Sequence, residues 1–238
     1  MMLSILIVLT LNSTALKNGD DAFLRQEYEE AVSVYESALP SSDAKAELLW
    51  RIARCYISIG DVAKREEREQ YYRKAETYAT RAVKEDSLNS DAHCWRAVSL
   101  GYIAMHEGVR SKVQLCNEIK GELDIAIQLN PDNDVAYSIL GTFYRALGKV
   151  GWLEKQIAAL LLGGLPSGGF PEAEQALKKA IELAPNIIRH RFELGQLYLD
   201  MERNEEAKKI FLSAIDLPPV LASDHRRIER MKRKIEEL

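Results

Sequence analysis

The feature that most constrains this chain is internal repetition. Four segments share one spacing, beginning at Trp50, Trp95, Tyr137 and Arg191. Each leads with a large residue. An apolar residue follows three places on (Ala53, Val98, Leu140, Leu194), and a residue four places on is small in three of the four (Ser99, Gly141, Gly195). Seven places on stands Ile57, Tyr102, Tyr144 or Tyr198. Offsets of three, four and seven fall on one face of a helix. After each segment comes a second helical pattern: Ala75, Ala79 and Ala82; Ile119, Leu123 and Ala126; Ala173, Leu177 and Ala180; Ala207, Phe211 and Ala214. The small residues let paired helices approach closely. Pro131, Pro185 and Pro219 then end three of these second helices, because proline donates no backbone hydrogen bond and clashes with the preceding turn.

The set resembles the tetratricopeptide repeat, with its large, leucine, glycine and tyrosine positions and a later alanine, phenylalanine and proline. The last copy is the cleanest: Leu194, Gly195, Tyr198, Ala207, Phe211, Ala214 and Pro219. A degenerate first copy shows Tyr28, Ala31, Tyr35, Ala38 and Pro40 in its second helix. An unrelated helical bundle would not repeat the pattern in phase. The expected fold is therefore all-α: a right-handed tetratricopeptide-type solenoid of about five helix pairs, with an inserted helix and a C-terminal capping helix. The expected divisions are an apolar segment over 1–15, the repeat domain over 16–221, and a basic capping helix over 222–238.

The copies are spaced by 45, 42 and 54 residues, where the standard repeat is about 34. Each excess falls between the two helices of a repeat. The first, around Asp61 to Gln70, is charged and reads as extended helix ends in water. The second, around Glu107 to Cys116, reads as a polar connection. The third holds a short apolar helix, Trp152 to Leu162, closed by Gly163 and Gly164 and followed by a Gly- and Pro-rich loop. Its apolar residues are expected to seal the enlarged repeat; the other reading has Trp152 and Leu153 touching a membrane or a ligand. After Pro219 a final helix from about Ser223, with Ser223 as its cap and Asp224 in its first turn, carries Arg226, Arg227, Arg230, Lys232, Arg233 and Lys234. It is read as a polar end cap, or alternatively as a basic partner-binding helix.

These insertions carry a second resemblance. Leu49, Trp50, Arg51, Ala53 and Arg54; Ala92, His93 and Trp95; Lys112, Glu118, Ile119 and Lys120; and Ala126, Ile127, Leu129, Asn130 and Pro131 resemble the regulator of microtubule dynamics family, a divergent tetratricopeptide family with animal and bacterial members. Most specific are Trp152-Leu153-Glu154-Lys155, the Leu162 to Gly168 loop, and Phe170 to Ala173, which a generic repeat protein lacks. The resemblance runs from about Asp20 to Leu238. It implies a non-enzymatic helical adaptor. Animal members are associated with microtubules and the spindle, and a membrane-anchored one tethers two organelles and binds phospholipid. Microtubules are an expected partner only in a eukaryotic host.

The chain of 238 residues carries 32 Lys and Arg against 36 Asp and Glu, a net charge of −4, and this acidity argues against sequence-independent nucleic-acid binding. Cys55, Cys94 and Cys116 are odd in number and lack metal-ligand spacing, so neither a disulfide framework nor a metal site is expected. No nucleotide-binding glycine fingerprint, H-E-x-x-H or G-x-S-x-G motif occurs, and neither an enzyme nor a cofactor is expected. Leu3 to Leu11 is an apolar run too short to span a membrane, which takes roughly 20 residues. It has the length of a signal-peptide core, with Ser13 and Ala15 suited to cleavage after Ala15, but no Lys or Arg precedes it. Cleavage would make the chain periplasmic or secreted; otherwise the run is a strap on the first helix pair and the chain is cytoplasmic.

Function is then expected in binding. The leading helix of each pair in this repeat class lines the inner face, through positions two before, one after, five after and eight after the large residue. That places Leu48, Arg51, Cys55 and Ser58, then His93, Arg96, Leu100 and Ile103 on the lining. Val135, Ser138, Thr142 and Arg145 follow, then Arg189, Phe192, Gln196 and Leu199. Arg51, His93, Arg96, Arg145 and Arg189 form an expected cationic stripe for an acidic protein or peptide, or a phospholipid, because guanidinium forks grip carboxylate and phosphate. The alternative is that these arginines pair with glutamates of the second helices.

Overall fold

The computed structural model describes residues 14–238. The apolar run and the cleavage reading over 1–13 lie outside the described residues. Helix and short connections make up the described chain, with no strand among the described residues. It divides into two compact units, one ending at His106 and the other running from Glu107 to Leu238.

The first unit contains α1 (14–24), α2 (Tyr28–Ala38), α3 (Lys45–Val62), α4 (Arg68–Glu85) and α5 (Ser90–Ala104). Helix α3 packs on α2, on α4 and on α5, and α4 packs on α5. This is the pattern expected where each leading helix meets its own partner and the next leading helix. The alanines anticipated on α4 (Ala75, Ala79 and Ala82) are fully buried. Of the charged insertion around Asp61 to Gln70, Asp61 and Val62 end α3, Arg68 to Gln70 begin α4, and a one-turn 3-10 segment, Arg65–Glu67, lies between them.

The second unit contains α6 (Val109–Leu129), α7 (Asp134–Gly148), α8 (Trp152–Leu162), α9 (Phe170–Leu183), α10 (Ile188–Asp200), α11 (Asn204–Leu212) and α12 (Ala222–Glu237). Helix α7 packs on α9, and α10 packs on α7, α9, α11 and α12. The small residue of the repeat is a steric requirement here. A Cβ at Gly195 would stand 2.1 Å from a ring carbon of Phe211, and one at Gly141 would stand 2.4 Å from Leu177 Cγ. Leu177, Leu197, Phe211 and Met231 close the core of this unit.

Two inter-repeat turns are built alike. Asp86 accepts a hydrogen bond from the Leu88 amide and Asn89 then caps α5 through the Ala92 amide (3.0 Å). Likewise Asn130 accepts from the Asp132 amide and Asn133 caps α7 through the Ala136 amide (2.9 Å). Each side chain satisfies a donor that the helix start leaves open.

Three local expectations need correction. The segment Glu107 to Cys116 is not a polar connection; from Val109 it is already α6, because its polar residues sit on the solvent side of a helix whose Val113 is buried. Ser223 does not cap the last helix. Asp224, at the third helical position, accepts from the amides of Val220 (3.1 Å) and Leu221 (2.9 Å), while Ser223 Oγ accepts from Arg227 (2.7 Å). The apolar helix α8 forms as expected and ends on Gly163 at φ +81, a backbone state that favours glycine. It does not seal the repeat: Trp152, Leu153 and Leu160 are 74%, 62% and 84% exposed.

Candidate functional site

In the first unit the expected lining is largely closed. Leu48, Cys55, Ser58, His93, Leu100 and Ile103 are all buried. Arg51 is drawn into a carboxylate network. Its Nε lies 3.2 Å from both oxygens of Asp20 on α1, and an Nη donates to the Glu47 side chain (2.5 Å) and carbonyl (3.0 Å). The guanidinium also stacks 4.1 Å from the Trp50 ring. Arg54 donates to the same Asp20 at 2.7 Å and lies 3.8 Å over Phe23. Tyr35 donates to Asp20 as well, at 2.8 Å. Burial by itself would raise the Asp20 pKa, but Tyr35 and the two guanidiniums outweigh it and hold the carboxyl below its ordinary range.

Arg96 takes a different direction. Its Nε donates to Thr80 Oγ1 on α4 at 3.1 Å. His93 meets the Ser87 carbonyl at 3.0 Å through Nε2. Arg51 and Arg96 are therefore oriented by different helices, α1 and α4, although their positions in the repeat are equivalent. The expected pairing with second-helix glutamates is not what holds Arg51: its acids come from α1 and from its own helix.

The second unit keeps its lining more open. Val135, Thr142, Arg145, Arg189, Gln196 and Leu199 are half-buried, and only Ser138 and Phe192 are buried. Arg145 on α7 stands between two acids of α10, 3.5 Å from Glu193 and 3.7 Å from Asp200. Asp200 also holds Lys149 at 2.8 Å. One oxygen each of Glu193 and Asp200, and the Ser138 hydroxyl, are buried without a hydrogen-bond partner, so this polar contact is held by charge more than by aligned hydrogen bonds. Arg189 has no ion-pair partner among the described residues. Trp152 and Leu153, the other two candidates, sit on the exposed side of α8 with Ile157 and Leu160, while Ala158 is buried.

Sequence reasoning missed two groups of residues. Asp20 and Glu47, the acids that engage Arg51, carry no repeat signature, and Asp20 lies 31 residues from its partner. The other group was readable. His225 follows Arg191 by 34 residues, one standard period, so α12 occupies the place of a further leading helix. Arg226, Arg230 and Arg233 then fall at the lining positions one, five and eight after the large residue. The contact of α12 with α10 and the placement of Arg230 4.9 Å over the Phe192 ring agree with that register.

Comparison with solved structures agrees on the fold. A thermophilic TPR protein from Thermus thermophilus superposes with a TM-score of 0.70 at 19% identity, covering 94% of this chain and 98% of that one. Yeast Tom70 superposes at 0.56 and 17% identity, covering 94% of this chain and 40% of that one. Among curated proteins, regulator of microtubule dynamics protein 2 of Homo sapiens is 32% identical over 189 residues, which is 79% of this chain and 46% of that protein. Regulator of microtubule dynamics protein 3 of Mus musculus is 30% identical over 183 residues, 76% of this chain and 39% of that protein. The chain thus spans less than half the length of these relatives. The match to the family described as Regulator of microtubule dynamics protein 1-3 runs over residues 15–238, through every repeat and through the inserted α8, and on that extent the chain belongs to this family.

Proposed function

We propose that this protein is a non-catalytic adaptor that holds a protein partner bearing acidic groups on the lining of its leading helices. The observation that carries this reading is the half-open face of α7 and α10. It presents the unpaired Arg189, and Arg145 between Glu193 and Asp200, beside the half-buried Val135 and Leu199, a mixture of charged and apolar surface suited to a peptide. Arg51, His93 and Arg96 brace the first unit in this reading, and Arg145 and Arg189 meet the partner. The names of the curated relatives concern regulation of a protein polymer, which supports a protein partner over a small substrate.

A photo-crosslinking residue at Gln196 tests this, against the same residue at Lys178 on α9 and with Arg189→Glu as a competitor background. Crosslinks to one defined protein from Gln196, lost in Arg189→Glu and absent from Lys178, are expected. Equal capture from both positions, or capture indifferent to Arg189→Glu, ends the proposal.

A second reading has its own observation. Leu153, Ile157 and Leu160 recur at helical spacing on the exposed side of α8, with Trp152 at its start, which is the composition of a helix lying in a membrane interface. Here the contact is with phospholipid. No helix among the described residues is long and apolar enough to cross a membrane. Flotation with anionic vesicles should fall at least severalfold in Trp152→Ala with Leu160→Ser; equal flotation of wild type and variant removes this reading.

A further inference from the structure

Helix α12 has the composition of a solvated end cap, but its register and contacts make it part of the lining. It sits one repeat period beyond α10 and packs on it. Arg226, Arg230 and Arg233 recur at i, i+4 and i+7, on one side of the helix, and all three are exposed. Arg230 lies 4.9 Å over the ring of Phe192, which fixes that side of α12 against the lining side of α10.

Apart from Glu236, the acids nearby are already committed. Glu193 and Asp200 on α10 turn towards Arg145 and Lys149. Asp224 holds Arg227, Glu229 holds Lys232, and Glu237 at the end of the stripe holds Lys234. Arg230 and Arg233 have no acid partner among the described residues. Two unpaired guanidiniums one turn apart, in a chain of net charge −4, form a local field of the opposite sign to the whole molecule.

We infer that Arg226, Arg230 and Arg233 of α12 form, with Arg189 of α10, a docking stripe for an extended acidic peptide. The spacing selects the form of the peptide. Arg226 and Arg230, four apart, are separated by about 6 Å along the helix axis, and Arg230 and Arg233, three apart, by about 4.5 Å. Side chains two apart on an extended strand are separated by about 6.6 Å. Alternate acidic side chains of a strand laid along α12 therefore match the Arg226–Arg230 step, and the long side chains of Arg230 and Arg233 take up the shorter one; a free guanidinium takes a carboxylate with two parallel hydrogen bonds. The Phe192 ring beneath Arg230, 4.9 Å away, restrains that guanidinium, so less freedom is lost on binding. The inference rests on the adaptor reading above and names the chemistry of the partner.

The test uses the full chain and a fluorescein-labelled decapeptide of alternating Glu and Ser, read by anisotropy at low and physiological salt. A decapeptide of alternating Lys and Ser and anionic vesicles serve as further probes. Wild type should bind the acidic peptide, weakening as salt rises. Arg230→Glu with Arg233→Glu should lose at least tenfold in affinity and gain measurable binding of the Lys peptide. Both residues are exposed, and an unchanged melting temperature confirms that the variant is folded. Hydrogen exchange on the wild-type complex should show protection along α10 and α12. Binding to the acidic peptide that ignores the double variant, with protection on α7 or α10 alone, overturns the stripe but leaves the adaptor reading standing. Absence of peptide binding at low salt, or protection confined to α9 and α11, overturns both. Loss of vesicle binding in the double variant without any peptide binding assigns the stripe to membranes and overturns the proposal.

Discussion

His190 Nε2 lies 2.7 Å from Asp134 Oδ2, tying the first turn of α10 to the first residue of α7. Burial pushes the His190 pKa below its ordinary value, and the neighbouring Asp134 carboxylate only partly opposes it. The neutral ring with its proton on Nε2 is the form that donates to Asp134. A group whose folded pKa is depressed adds stability that is complete above its unfolded pKa of about 6.5 and is lost as pH falls. Urea midpoints should therefore drop between pH 7 and pH 5.5 in wild type. In His190→Gln, whose amide still donates to Asp134, that drop should shrink. An identical pH slope in both proteins would show that His190 does not carry the effect.

Asp20 joins α1 to α2 through Tyr35 and to α3 through Arg51 and Arg54. Replacing it leaves the fully buried Tyr35 hydroxyl and two half-buried guanidiniums with weaker or no acceptors. Asp20→Ala should cost about 1–3 kcal/mol in chemical denaturation, the range for hydrogen bonds to a charged group. The Asp20 pKa is held down in the folded chain, so this stability is present at neutral pH and is lost as pH falls below about 4. Asp20→Ala should erase that acid-side loss along with the stability itself. A variant as stable as wild type would mean that the network is surface decoration.

What was legible in the sequence follows from where its constraints are local. Gly141 and Gly195 announce the helix crossings because only hydrogen fits against Leu177 and Phe211. The ends of α8 could be read from Trp152 and Gly163, because an apolar run and a residue suited to positive φ are both visible in a few letters. The exposure of Leu160 was not legible: periodicity says which side of a helix is apolar and cannot say whether another element covers it. The capture of Arg51 by Asp20 was hidden for a related reason. The first copy of the repeat is degenerate, and nothing in it marks which carboxylate will reach a guanidinium one repeat later. The register of Arg230, by contrast, was present as a spacing of 34 residues from Arg191 to His225, but the density of charge in α12 reads first as solvation.

Gly195 and Gly141 give the most direct test of the helix-pair geometry. A methyl at Gly195 meets the Phe211 ring at 2.1 Å, and Phe211 is fully buried, so the ring has nowhere to move. Gly195→Ala should cost about 1–3 kcal/mol by overpacking. Gly141→Ala meets the fully buried Leu177 at 2.4 Å and should cost a similar amount. Gly121 on α6 has nothing within 4 Å of an added Cβ, so Gly121→Ala should stabilise by up to about 1 kcal/mol through helix propensity. Thermal melts of the three variants check the order; a Gly195→Ala variant as stable as Gly121→Ala would refute the close crossing of α10 and α11.

The three cysteines should separate by reactivity. Cys55 on α3 is fully buried, and burial pushes its thiol up to about 12, far from the thiolate form that attacks disulfide reagents. Cys94 on α5 is fully buried too and shielded by the same packing of α3, α4 and α5. Cys116 on α6 is only partly buried, and its pKa is also raised by burial. With an aromatic disulfide reagent at pH 8, native protein should release one equivalent, from Cys116, more slowly than a free thiol. Denaturant should release all three, and Cys116→Ser should leave the native protein silent. Two or three equivalents from native protein would mean that the first unit opens far more readily than the burial of Cys55 and Cys94 allows.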